Sequence, residues 1–491
     1  MSREQQVVDR TRRAFRTGRS RPLEFRIQQL KRLWSFIKER QEEICEALRR
    51  DLGKSELGSE LYELLVLEAE LKLAISRLAE WAAPRPVEKN LLTLTAEVYV
   101  KPEPLGVVLI IGTWNYPWPL TLLPLVGAIA AGNAAIIKPS EVSSNSSKVM
   151  EEHLCHYIDQ ALYCPSPILS DGPADPICSH PCPSVSRSSA ACCSEGLVQI
   201  TGGACLPLRS PKTLELSAPP CALTEHPLSA LLTRRITWGK FINCGQTCIA
   251  PDYILCESSI QTRVLEEIKK CIQEFFQGDP KNSSDYGRII NQRQFDRLVG
   301  LMEGSVVALG GDVDESQFYI GPTVLKNVTG DSRVMTEEIF GPLLPIVTVS
   351  GLEEAIQFIN DREKPLVLYV FSNDQKLIQR VMSETSSGAL LANDCMVHFI
   401  DNALPFGGVG HSGLGRYRGR HSFDQLSNLR SCMVKRLHLE GVNSMRYPPH
   451  TARRLGWARF FLLTHINTLG LYFLLAMLAG LAALMVQVKS C

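Results

Sequence analysis

The hexapeptide NCGQTC, residues 243–248, sets two cysteines four positions apart around a glycine and a glutamine. A thiolate is a strong nucleophile, and a thiol in a turn, near backbone N–H groups or positive charge, gives up its proton more readily than one in a packed interior. Cys244 or Cys248 could therefore attack an electrophilic carbon. Two plainer readings compete with this. An isolated cysteine most often behaves as a small buried hydrophobe. The pair could also hold a metal, although no further His or Cys ligand lies close in sequence. Two other polar groups stand at the ends of apolar runs, Asn115 in GTWNYPW and Lys138 in IIKPSE. Either could reach a ligand, and Asn115 could equally close a turn.

These groups need elements to position them. The segment GVVLIIGTWNYPWPLTLLPLVGAIAAGNAAIIKPSE reads as an apolar strand, a turn, a helix beginning near Pro117 and a second strand ending at Lys138. A strand–helix–strand unit makes its strands parallel and gathers their carboxyl ends on one edge, where Asn115 and Lys138 then sit. Upstream, residues 1–82 are helical in pattern. One helix runs through LEFRIQQLKRLWSFIKERQEEICEALRRDLG and stops at Gly53, and a second runs through SELYELLVLEAELKLAISRLAEWAA and is ended by Pro84. LLTLTAEVYVKPEP alternates as a strand does. Further on, RRITWGKFINCGQTCIAPDYILC reads as a helix, a polar turn at Gly245 and Gln246, and a strand. An amphipathic helix, RVLEEIKKCIQEFFQG, follows. LPIVTV and PLVLYVFS are strand-like and flank the helical GLEEAIQFIND, so the second half is another α/β region.

Composition narrows the class. A chain of 491 residues fits two or three domains. Lys plus Arg is 52 against 51 for Asp plus Glu, so no overall field draws the protein to nucleic acid, which is not expected as a partner. The 16 cysteines do not make a secreted disulfide scaffold. Such chains are short, and MSREQQVVDRTRRAF has no apolar signal core. Seven of the cysteines fall between Cys164 and Cys221, in a Pro-, Ser- and Cys-rich stretch with neither helical nor strand period. At the far end, LGLYFLLAMLAGLAALMVQV, residues 469–488, is uncharged and long enough to span a bilayer as a helix. Arg453, Arg454 and Arg459 precede it and Lys489 alone follows, which orients the body toward the cytosol.

The motifs GTWNYPW, IIKPSE, INCGQTCIAPDYILC, EEIFGPLLPI and PFGGVGHSGLGRY, in this order, resemble those of the aldehyde dehydrogenase superfamily. The wording CGQTCIAPDY, the short N-terminus and the apolar tail look most like its class 3 branch, of the membrane-bound fatty aldehyde dehydrogenase type. The resemblance covers residues 1 to about 163 and 233–491. It implies an α/β fold with a Rossmann-type cofactor domain over residues 1–213, from which a strand at 91–102 serves oligomerisation. A catalytic α/β domain would follow over 214–425, then an oligomerisation and pre-anchor segment over 426–465, including 430–437, and the membrane anchor at 469–488. It further implies NAD as cofactor, with NADP the alternative, a long-chain aldehyde substrate, a homodimer, and a place on the cytosolic face of an intracellular membrane, the endoplasmic reticulum first.

Matched residue by residue, Cys248 resembles the family's nucleophile, which attacks the aldehyde carbon to give a thiohemiacetal and then a thioester. Cys244 is then a neighbour. Asn115 matches the side-chain amide that holds the developing oxyanion together with the backbone N–H of Cys248. Lys138 and Glu141 match contacts to the adenosine ribose hydroxyls, and Glu338 and Phe340 match those to the nicotinamide ribose and ring. Tyr116 would line the substrate channel. Without the motifs, Lys138 and Glu141 read as a solvated loop, Glu338 as a helix cap and Tyr116 as core. PFGGVGHSGLGR has five glycines that favour close backbone approach, but no strand-to-helix start precedes it, so it is not a phosphate cradle.

The chain departs from the family between 164 and about 232. The expected glycine turn for the cofactor pyrophosphate is missing, with Gly202 and Gly203 of ITGGAC its nearest relic, and two prolines interrupt the helix that should follow. TLEL survives, so Glu215 is the candidate general base for thioester hydrolysis, with Glu338 the alternative. Ser217, Ala218 and Pro219 stand where the family has two glycines and a lysine. The stretch replaces family elements instead of adding to them, as a frame-shifted or mis-spliced segment would. A zinc-binding insert using Cys178, His180, Cys182 and Cys192 and a disordered insertion are the alternatives. Two functions stay open: oxidation of fatty aldehydes through Cys248, and a membrane-tethered homologue with a disrupted cofactor site that only binds or dimerises.

Overall fold

The computed structural model describes residues 3–90, 92–165, 197–201, 213–216, 227–437 and 446–463. It divides into a larger unit, Met1–Trp81 with Pro104–Ser427, and a smaller one, Ala82–Glu103 with Asn428–Cys491.

The larger unit opens on helices Arg3–Arg16, Leu23–Glu39 and Gln41–Leu52. The single helix expected up to Gly53 is thus two, broken at Arg40 (φ −110°), where neither Gly nor Pro marks the bend. Gly53 does end it, in the left-handed conformation (φ 67°) that glycine adopts without steric cost. The next expected helix is likewise divided. A short turn Glu56–Ser59 runs into a π-helical turn, Glu60–Leu64, before the regular helix Leu65–Ala82.

Two sheets follow in this unit. Strands β3 (Val107–Ile111), β4 (Ala134–Lys138), β5 (Tyr163–Pro165) and β6 (Leu197–Thr201) form a parallel sheet in the order β5-β4-β3-β6. The helix Pro117–Ala131 joins β3 to β4 as its spacing predicts, and every one of its residues is buried. Six of its side chains are Leu, Val or Ile, and burying each contributes roughly 1.5–3 kcal/mol, so this helix fixes where its own N-terminus lies.

The second sheet comprises β7 (Thr213–Leu216), β8 (Tyr253–Cys256), β9 (Val306–Leu309), β12 (Thr323–Val328), β13 (Leu343–Thr348), β14 (Val367–Phe371) and β15 (Ala389–Ala392). Its order is β15-β14-β7-β8-β13-β12-β9, parallel except where β9 joins β12. Strand β8 is wholly buried, as its unbroken apolar run requires between helical layers. A small antiparallel pair, β10 (Val313–Asp314) with β11 (Tyr319–Ile320), lies between β9 and β12 in sequence.

In the smaller unit β1 (Arg85–Pro86), β2 (Glu97–Pro104) and β16 (Ser427–Val434) form a three-stranded sheet, in which Arg430 and Glu103 approach to 3.1 Å. The expected strand at 91–102 begins later, at Glu97, after turns. The helix Ala452–Leu463 buries none of its side chains. Among the described residues no helix is long and apolar enough to cross a membrane, and the expected anchor at 469–488 lies outside them. So do Cys178, His180, Cys182, Cys192, Gly202, Gly203, Ser217, Ala218 and Pro219.

Candidate active site

The first arm of the site is the turn between β3 and the helix Pro117–Ala131. Proline suits the first helical position, where an N–H would lack an intrahelical partner. The capping residue, Tyr116, supplies no side-chain cap. Instead the backbone N–H of Trp118 donates to Glu63 Oε2 at 3.1 Å. Asn115 is buried. Its Nδ2 donates to the carbonyl of Gln246 at 3.1 Å, and its own carbonyl accepts from Lys54 Nζ at 3.2 Å and Asn243 Nδ2 at 2.9 Å.

The second arm is the cysteine turn. The helix Pro227–Phe241 passes into a 3-10 turn, Ile242–Gly245, in which Asn243 (φ 51°), Cys244 (φ 56°) and Gly245 (φ 72°) are all left-handed. Two such residues with a Cβ store strain of order 1–3 kcal/mol each, which persists only where surrounding contacts dictate it. Here Gln246 dictates it: Nε2 donates to the carbonyls of Asn243 (3.2 Å) and Arg288 (2.9 Å), while Oε1 accepts from the Ile290 N–H (3.1 Å). Gly245 is obligatory, because a Cβ there would stand 2.1 Å from the carbonyl oxygen of Gly341. The EEIFGP segment thereby packs directly on the cysteine turn.

The two cysteines differ. Cys244 is fully buried, its thiol donates weakly to the Ile320 carbonyl at 3.9 Å, and burial pushes its pKa up to about 12. It is a packed thiol. Cys248 is 7% exposed, one residue beyond Thr247, whose Oγ1 lies 2.8 Å from the hydroxyl of Tyr116. The buried hydroxyls of Tyr116, Tyr369 and Tyr417 are within electrostatic reach of Cys248, and burial keeps all three protonated.

A third piece is Glu338–Gly341. Arg297 donates to the carbonyls of Glu338 (3.2 Å) and Ile339 (2.7 Å), and the Ile339 N–H donates to Asp252. Phe340 takes a left-handed conformation (φ 49°) that lays its ring edge-on to Trp114, 5.3 Å between centroids. Asn115, Tyr116, the Cys248 turn and Phe340 are thus brought together. Lys138 and Glu141 pair with each other at 2.5 Å, beyond the end of β4, and the Lys138 carbonyl accepts from Gly112 N–H at 2.7 Å, tying the ends of β3 and β4. Burial raises the Glu141 pKa, but the Lys138 hydrogen bond, a backbone hydrogen bond and the Lys138 charge together outweigh it and the net shift is downward. Glu215 lies on β7, its backbone in register with Val370 of β14 and Leu255 of β8.

A cleft of about 280 Å³ runs beside the turn, lined among others by Leu57, Leu61, Tyr62, Tyr116, Trp238 and Phe241. Trp238 Nε1 donates to the Tyr62 hydroxyl at 3.3 Å. Apart from Tyr116, sequence reasoning missed this wall, and it missed Lys54 and Glu63. A signal was present: Glu63, Leu67, Glu70, Ala74, Leu78 and Trp81 recur at three- and four-residue spacing, so Glu63 and Glu70 belong to the buried stripe. Among the described residues no group of three or more His, Cys, Asp or Glu could hold a metal ion.

Parallel sheets whose strand ends meet a buried cysteine turn are an arrangement that suits a nucleotide-dependent oxidoreductase working through a thiol. More narrowly, the chain belongs to the aldehyde dehydrogenase family, whose model matches residues 3–157 and 228–432. It is an NAD(P)-dependent oxidoreductase of aldehydes. The match breaks across the interval that holds the Pro-, Ser- and Cys-rich stretch. Aldehyde dehydrogenase family 3 member A2 of Rattus norvegicus is 49% identical over 98% of this chain and 99% of its own. The dimeric, NADP-preferring aldehyde dehydrogenase of Canis lupus familiaris is 47% identical over 92% and 99%. Among solved structures, the substrate-bound state of Staphylococcus aureus AldH superposes with a TM-score of 0.84 at 36% identity, over 94% of this chain and all of that one.

Proposed function

We propose that the protein oxidises long-chain aliphatic aldehydes to carboxylic acids, with Cys248 as nucleophile and Asn115 as oxyanion donor. The observation that carries this reading is the hydrogen bond from Asn115 Nδ2 to the Gln246 carbonyl, two residues before Cys248. A primary amide has two hydrogens. With one fixed on Gln246, the other remains available to an oxyanion formed at Cys248. In the first step the Cys248 sulfur forms a bond to the aldehyde carbon, the carbonyl π pair moves to oxygen, and Asn115 and the Cys248 N–H stabilise that charge. Preorganised donors of this kind contribute on the order of 10²–10³ in rate each. NAD or NADP, when bound, supplies the acceptor for the hydride that leaves the thiohemiacetal carbon. Glu215, or alternatively Glu338, takes a proton from the water that then cleaves the thioester.

The residues fit such a cofactor at both ends. Lys138 and Glu141 offer a donor and an acceptor for vicinal hydroxyls beyond β4, and Phe340 with Glu338 offers a ring face and a carboxylate beside the cysteine turn. The apolar cleft wall supports a hydrocarbon substrate. We extend the reading to a tail anchor at 469–488 on the cytosolic face of the endoplasmic reticulum, and to a homodimer built on the three-stranded sheet, where Leu429, Met433 and Val434 are exposed. Purified full-length protein given hexadecanal and NAD should form NADH, and Cys248→Ser should abolish it. Folded wild-type protein that forms none would exclude the enzyme reading and favour a binding role.

A further inference from the structure

We propose that the buried Lys54–Glu63 ion pair is a positioning device for the Asn115–Trp118 turn, which sets the aim of the oxyanion donor and one wall of the substrate cleft. The inference rests on the role given above to Asn115 and Cys248.

The pair touches this turn at three residues, Asn115, Tyr116 and Trp118. Lys54 Nζ donates to the Asn115 carbonyl at 3.2 Å and lies 4.0 Å from the centroid of the Tyr116 ring. Glu63 Oε2 accepts from Trp118 N–H at 3.1 Å, while Oε1 takes the Lys54 ammonium. Because Tyr116 provides no cap, Glu63 does the work of a capping residue from a distant part of the chain, and its charge suits the positive end of the helix dipole. Both side chains are almost wholly enclosed.

Such an arrangement is not explained by stability. Burial pushes the Lys54 pKa down and the Glu63 pKa up, each opposed by the partner's charge. A buried pair often stabilises no better than apolar side chains of equal volume. What an apolar pair could not supply is direction, since it cannot hold the Asn115 carbonyl and the Trp118 N–H at once. The local backbone supports the same view. Glu63 lies in the π-helical turn Glu60–Leu64, a rare geometry concentrated at functional sites, and the adjacent Tyr62 lines the cleft. One widened turn therefore serves both the cleft wall and the oxyanion turn.

The test uses p-nitrophenyl acetate, whose attack by Cys248 releases p-nitrophenolate and leaves an acyl-cysteine. This step develops an oxyanion but needs no hydride acceptor. Alkylation of the same thiol by iodoacetamide, which displaces iodide and develops no oxyanion, is the control. A shift of the donor by about 1 Å can cost on the order of 10²-fold. Lys54→Met should therefore acylate roughly 10- to 100-fold more slowly at saturating ester, with little change in KM and an unaltered alkylation rate. Added to Asn115→Ala, it should slow acylation no further. Since an unpaired Glu63 can unfold the chain, the same comparison is made in Lys54→Met/Glu63→Gln, which leaves no lone charge, with circular dichroism reporting the fold. A slow Asn115→Ala beside a Lys54→Met that acylates normally, or losses that add in full, would overturn the inference alone. Normal acylation by Asn115→Ala would overturn the reading of the site beneath it.

Discussion

Two of the buried polar clusters among the described residues of the larger unit differ in how completely their atoms are paired. Around the cysteine turn, Lys54, Glu63, Asn115, Tyr116, Gln246 and Thr247 exchange hydrogen bonds on most of their polar atoms, with Asn243 Oδ1 and Trp118 Nε1 as exceptions beside them. Around Arg418 the pairing is sparse. Glu70 and Arg418 approach only to 3.6 Å, and Glu70 Oε2, Arg418 Nε and Nη1, the Tyr417 hydroxyl and both ring nitrogens of His398 have no hydrogen-bond partner. Glu70 Oε1 still accepts from Gly419 N–H at 2.6 Å, and Arg418 Nη2 donates to Asn402. A paired cluster in a low-dielectric interior is stiff, because each group moves only with its partners. An underpaired one carries desolvation that its contacts do not offset, so its stability responds to charge and pH. The first suits a catalytic turn that must hold its aim, and the second joins the early helix to the loop after β15.

The sharpest way to separate the two is to remove Glu70. Glu70→Leu leaves the Arg418 guanidinium uncompensated in the interior, and thermal or denaturant unfolding should show a loss of about 3–5 kcal/mol. Replacing both partners, Glu70→Leu with Arg418→Met, should recover much of it. Recovery would fail if the pair were as well satisfied as that around the cysteine turn, and the comparison would break there. Asn115→Ala should behave in the opposite way. Aldehyde turnover should fall by on the order of 10²–10³, about 3–4 kcal/mol in the transition state, while the unfolding midpoint moves little.

The strand–helix–strand unit that carries Asn115 and Lys138 was legible because its signals are local: apolar runs of strand length, Pro117 at a helix start, Gly132 past its end. The cysteine turn was legible as a polar break before β8. The interruptions were not. Arg40 and the π-turn at Glu60 carry no breaker residue, and their geometry is imposed by what the flanking helices pack against. The Lys54–Glu63 and Glu70–Arg418 pairs join residues on separate elements, and Glu70 and Arg418 are hundreds of positions apart in the chain, so no local period could pair them. Tertiary context likewise separates Cys244 from Cys248 without appeal to the resemblance. Both read alike in NCGQTC, yet one is packed under the Ile320 carbonyl and the other lies one residue from the Tyr116–Thr247 contact.

His398 turns the contrast into a pH dependence. Burial lowers its pKa from 6.5 to about 4, with its ring stacked on Phe406. In the unfolded chain the imidazole takes a proton first as pH falls, so the folded state loses stability from about 6.5 downward and the loss is complete below about 4. The gap is worth roughly 3 kcal/mol. Unfolding midpoints measured across this window should fall steeply for the wild type. His398→Phe should flatten the part of the slope that belongs to this proton, and an unchanged slope would remove His398 from the account of the underpaired cluster.

The smallest effect belongs to a pair outside both clusters. Lys138 and Glu141 are separated by three residues and partly open to solvent, and such pairs contribute roughly 0–1 kcal/mol to stability. Lys138→Met should therefore leave the unfolding midpoint nearly unchanged. Its consequence lies in binding. In the wild type, burial raises the Glu141 pKa, and the Lys138 hydrogen bond and charge with a backbone hydrogen bond together reverse this, so the carboxylate stays ionised to below its ordinary range. Without Lys138 only the backbone hydrogen bond opposes burial, the larger influence, and Glu141 gains a proton at higher pH. Titration calorimetry with NAD should then show affinity that declines at a higher pH in Lys138→Met than in the wild type, and a coincident decline in both proteins would show that Glu141 does not meet the cofactor as an ionised acceptor. On the proposed reading of the site, the pairs differ because a ribose contact must open to its ligand, whereas a turn that aims an oxyanion donor must already be closed.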